Sequence, residues 1–120
     1  MAKDDYDMIV YKVLVYLYAC LKRKIVFDKL VFLKTVADGI DEEYLSSVLR
    51  LMSMEGLIEG VAFTKAWGNV YIRISDLCEM SITAAGIRYL KENRGMKKAA
   101  EAVKEGAEMI ASLATLLGAL

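Results

Sequence analysis

The chain has 120 residues, with 16 basic and 16 acidic side chains, no histidine and no proline. That length allows one domain with one core and an appended helix. The missing imidazole removes the commonest general base and metal ligand, and a formal charge of zero removes the simplest argument for a nucleic-acid surface.

Asp4 and Asp5 suit a helix N-terminus, and Lys22, Arg23 and Lys24 suit its C-terminus. The segment between them, Tyr6 to Leu21, is rich in Val, Ile and Tyr. Its length and flanking charges nevertheless predict a helix, apolar almost all round and therefore covered on more than one face. Phe27 to Val36 predicts a second, shorter helix, broken at Asp38-Gly39. The third has the cleanest pattern. Asp41 is its expected N-cap, Glu42 and Glu43 lie in its first turn, and Gly56 follows its end. Leu45, Val48, Leu49 and Met52 form its buried stripe, leaving Glu43, Ser46, Ser47, Arg50 and Ser53 outward.

Leu57 to Thr64 and Val70 to Ile74 alternate as the arms of a β-hairpin, with Gly68-Asn69 at its turn. Leu77 to Ser81 leads back to the core. Thr83 is the expected cap of a fourth helix, which ends near Asn93. From Met96 the residues Met96, Ala99, Val103, Gly106, Ile110, Leu113, Leu117 and Leu120 keep a heptad spacing. The expected fold is mainly α with a small β-hairpin: a winged helix-turn-helix domain over residues 1–94, then a C-terminal amphipathic helix over 95–120 for packing or dimerisation.

The apolar content, 57%, exceeds the roughly 45–50% usual for globular chains. It predicts a homodimer held by the first and last helices, with Val103, Ile110, Leu113 and Leu117 at the contact. No apolar run reaches the roughly 20 residues of a membrane span, and the acidic N-terminus does not resemble a signal peptide. The expectation is a soluble, cytoplasmic protein. Cys20 and Cys78 lack metal-type spacing and read as reduced, buried thiols.

Two segments carry a family resemblance: Ile40-Asp41-Glu42-Glu43-Tyr44 through Met54-Glu55-Gly56-Leu57-Ile58-Glu59-Gly60-Val61, and Ile82 to Asn93 with its Thr-x-x-Gly-x-x-Tyr-Leu pattern. The chain resembles the YjcQ-like proteins, small bacterial and phage-associated winged-helix proteins of unassigned function. The likeness spans most of residues 6 to 110. It implies the winged-helix fold and brings no catalytic residues. The hairpin region from Phe63 to Met80 and the tail after Gly106 depart from the family pattern.

In a winged helix-turn-helix protein the third helix enters the major groove. Ser46, Ser47 and Arg50 on that helix, with Lys65, Trp67 and Arg73 on the wing, are the candidate contacts to duplex DNA. Against them stand Asp41, Glu42 and Glu43 at the helix end nearest the phosphates. The alternative is an interaction module that contacts protein, with Trp67 or Tyr44 as the anchor. Without histidine no Ser/His/Asp or Cys/His set exists, and no Gly-rich phosphate loop is present. No catalysis, cofactor, metal or small-molecule ligand is expected.

Overall fold

A computed structural model of the chain describes residues 2, 4–68 and 70–104. Helix α1 (Tyr6–Leu21) is the central rod, touching α2 (Lys29–Ala37), α3 (Glu42–Met54), α4 (Ala84–Glu92) and α5 (Arg94–Lys104). A helix apolar on every side is stable only when every side is covered. That is its situation: Met8 to Leu17 are buried without a break, Lys12 among them.

Helix α2 begins two residues later than the sequence pattern predicts, because Asp28 is its cap. The Asp28 Oδ1 accepts from the backbone N–H of Leu30 and Val31 at 3.0 and 3.1 Å. Phe27 stays outside the helix and joins Tyr16 and Phe32 in an aromatic trio, with ring centroids 5.2–5.4 Å apart, that pins α2 to α1. The Tyr16 hydroxyl completes the joint, accepting from the Asp28 N–H at 3.1 Å.

Helix α3 follows its sequence pattern. Asp41 accepts from the Tyr44 N–H at 3.2 Å, Leu45, Val48, Leu49 and Met52 are buried, and Gly56 beyond the end has φ +77°. The following chain does not form a single long hairpin. Strand β1 (Ile58–Glu59) pairs antiparallel with β4 (Ser81–Ile82), in the register Ile58↔Ile82 and Glu59↔Ser81. Strands β2 (Phe63–Lys65) and β3 (Tyr71–Arg73) form a separate hairpin. Gly60 divides the two pairs. Its φ of +80° suits a residue without Cβ, and a Cβ there would overlap the Glu79 carbonyl oxygen. A short 3-10 turn (Leu77–Glu79) buries Leu77 on the way back.

Thr83 caps α4, accepting from the Gly86 N–H at 2.9 Å. Asn93 ends α4 and starts α5, its Oδ1 accepting from the N–H groups of Gly95 and Met96 at 2.8 and 3.2 Å. Met96, Ala99 and Val103, the first three heptad positions described, are fully buried, and α5 packs on α1 and α4. The architecture is therefore mainly α with small antiparallel β pairs, as the sequence predicts.

The cysteines depart from expectation. Cys20 is only half-buried and Cys78 is exposed, because Cys78 sits in the 3-10 turn with its side chain away from the core that Leu77 enters. Both thiols are free. Burial pushes the Cys20 thiol up from its ordinary pKa.

Candidate interaction surface

The hairpin has two faces of opposite chemistry, and strand alternation decides which residue lies on which. Phe63 lies opposite Arg73 and Lys65 opposite Tyr71, so these four share the face turned to α3. Thr64 lies opposite Ile72, and Val70 and Ile74 extend that second face. The pairing is closed by the Ala66 N–H donating to the Val70 carbonyl at 2.8 Å and the Ile74 N–H to the Ala62 carbonyl at 2.9 Å. At its base the Ser75 hydroxyl accepts from the Ala62 N–H at 3.0 Å.

The inner face is aromatic and basic. The Arg50 guanidinium of α3 lies 3.7 Å from the centroid of the Tyr71 ring, a cation–π contact that locks hairpin to helix. Arg73 donates to the Ser75 carbonyl. A shallow cleft between α3 and the hairpin is bordered by Glu42, Glu43 and Ser46 on one side and by Val70, Tyr71, Ile72 and Arg73 on the other. The seam is thus of mixed sign.

The outer face is apolar. Val70 is 47% exposed, Ile72 52% and Ile74 65%, and Trp67 at the tip is 93% exposed. Leu51 and Met54 are also exposed, on the free side of α3 and apart from this face. Large apolar side chains gathered on one face mark interaction sites more often than a scatter of single ones does.

Of the residues predicted as DNA contacts, Ser46, Arg50 and Arg73 come together along the α3–hairpin seam. Lys65 is exposed on the hairpin face that carries Tyr71 and Arg73. Ser47 is exposed beyond that group, its hydroxyl donating to the Glu43 carbonyl at 3.0 Å. Trp67 stands at the tip. Tyr44 is tied down, its hydroxyl donating to the Asp4 carbonyl at 2.7 Å. Val103, predicted at a dimer contact, lies in the core of its own chain. Ile110, Leu113 and Leu117 fall outside the described residues.

Sequence reasoning missed the outer-face trio, although the alternation of Val70 to Ile74 was its signal. It also missed Tyr71 as the partner of Arg50. Among the described residues no group of three or more Cys, Asp or Glu side chains is placed to hold a metal, and no helix is long and apolar enough to cross a membrane.

Fold and surface together define a small, mainly helical protein whose distinctive feature is an exposed apolar hairpin. The chain belongs to the YjcQ family: the family model described as "YjcQ protein" matches residues 11–109. No curated protein and no solved structure matches the chain significantly.

Proposed function

We propose that the chain is a non-catalytic winged-helix module that recognises a partner protein through the outer face of its hairpin. The observation that carries this reading is Trp67, 93% exposed at the tip of a face formed by Val70, Ile72 and Ile74. The four side chains are themselves apolar or aromatic, with Glu42 and Glu43 at the cleft beside Val70 and Ile72, so the partner surface they fit is apolar, with room for an indole. The exposed residues Tyr44, Ser47, Leu51 and Met54 of α3 include no cation that would favour a phosphate backbone instead. The one basic side chain of α3, Arg50, is engaged by Tyr71.

The test is capture of a defined partner by wild type, Trp67→Ala and Ile72→Ser. Loss of capture in both variants, with melting temperature unchanged, is the expected result. Both side chains are exposed, so each change should alter stability by no more than about 0.5 kcal/mol. Capture that survives both substitutions removes the surface from consideration.

DNA binding is the second reading, favoured by the convergence of Ser46, Arg50 and Arg73 on one seam with Lys65 on the same hairpin face. It predicts binding of duplex DNA at low salt, weakened by Lys65→Ala and weakened steeply by added salt. Self-association is a further proposal. Since α1 and Val103 are covered within one chain, it rests on Ile110, Leu113 and Leu117. Sedimentation at tens of micromolar, roughly the range where stable dimers persist, should show a dimer that Leu113→Asp with Leu117→Asp converts to monomer.

A further inference from the structure

On the opposite side of β3 from the bare hairpin face, α2, α3 and the 3-10 turn border a half-open pocket of about 350 Å³. That volume lies within the range of small-molecule sites, roughly 300–1,000 Å³. Its floor is apolar: Leu45, Leu49 and Leu77 are buried there, and Leu33 and Ile40 line the walls. Its charged groups are few and come from three separate elements. Lys29 opens α2, Glu42 opens α3, and Arg73 reaches in from β3, with the Ser46 hydroxyl beside them.

From this we propose that the pocket binds a free α-amino acid with an apolar side chain about the size of leucine. A ligand that filled only the apolar floor would make no use of the three charged groups that line the pocket. A simple monocarboxylate would satisfy Arg73 and Lys29 but would meet Glu42 as a like charge. A zwitterion answers all three: its carboxylate faces the two cations, its ammonium faces the Glu42 carboxylate, and its side chain lies on the leucine floor. The Arg73 guanidinium has five N–H donors. Its bond to the Ser75 carbonyl fixes the side chain and leaves donors for a ligand carboxylate. The bound molecule would tie β3 to the first turns of α2 and α3, coupling hairpin position to ligand. The inference is independent of which partner the hairpin takes.

The test is isothermal titration of the full chain with L-leucine, isocaproate (the same body without the ammonium) and isoamylamine (without the carboxylate). L-leucine should bind and the two fragments should bind at least about tenfold more weakly, the loss expected when one charged hydrogen-bonding group is removed. Glu42→Gln should weaken L-leucine while leaving isocaproate unchanged or improved, a split that mere structural damage would not produce. Arg73→Gln should weaken L-leucine and isocaproate together, at an unchanged melting temperature. Two results overturn the proposal: no heat from L-leucine at millimolar concentration, or isocaproate binding as tightly as L-leucine to both wild type and Glu42→Gln.

Discussion

Thr83 shows how much one side chain in this fold does. Its hydroxyl accepts from the Gly86 N–H at 2.9 Å and faces the carbonyls of Gly56 and Leu57 at 2.6 and 3.0 Å. It therefore caps α4 while joining that helix to the end of α3. Thr83→Ala should cost about 1–2 kcal/mol, the upper part of the range for a lost N-cap, and Thr83→Ser should recover most of it in denaturant melts. This cap and that of Asp41 are legible in the sequence because each acts within three residues. The Arg50–Tyr71 stack is not, since its partners lie on separate elements that only the folded chain brings together. Asp28 escaped notice for a different reason: Phe27 continues the apolar pattern, and only its packing on Tyr16 takes it out of the helix.

At the level of elements, the Thr-x-x-Gly pattern has a steric explanation. A Cβ on Gly86 would overlap the Leu57 carbonyl oxygen and come within 2.8 Å of Ile82 Cγ1. Helix α4 thus lies directly on the β1–β4 pair, and only glycine allows that approach. Gly86→Ala should destabilise by about 3 kcal/mol, the upper end for overpacking against backbone that cannot yield, and a urea midpoint unchanged from wild type would contradict this packing. The helices were legible because their periodicity and caps are local. The β region was read as one hairpin because Leu57 to Thr64 alternates loosely throughout. What divides it is the left-handed turn at Gly60 and the distant partner of Ile58, which is Ile82 and not a residue of β3. Strand pairing between partners 24 positions apart in the chain leaves little trace in local pattern.

At the scale of the molecule, much of the apolar content of the described residues is taken up within one chain. Helix α1 lies inside a ring of helices, and the first described heptad positions of α5 complete that ring. What the sequence placed between subunits is, as far as Lys104, core. The same packing sets an alkaline limit on stability. Burial, followed by the nearby Glu55, Tyr89 and Asp7, pushes the Tyr6 phenol up to about 12 from its ordinary 10.0. Tyr89 shifts in the same direction, chiefly by burial and then by Asp7 and Glu55. Between pH 10 and 12 the unfolded chain has released the Tyr6 proton and the folded chain still holds it. The unfolded state then binds fewer protons, so stability falls as pH rises through this window. Melting temperatures followed upward from pH 9, about one unit below the ordinary phenol value, should decline in wild type and decline less in Tyr6→Phe. Equal slopes would place Tyr6 in solvent.

Under the proposed function, the bare face of the hairpin, and not the outer side of α3, meets the partner protein. Site-specific photo-cross-linking measures this directly, with a benzophenone side chain placed at Ile72 or at Ser47 in the full chain and irradiated in lysate of the organism that encodes it. A discrete protein adduct is expected from position 72, lost in Trp67→Ala, and none from position 47. Adducts from position 47 alone, whether to protein or to nucleic acid, would move the binding surface from the hairpin to α3.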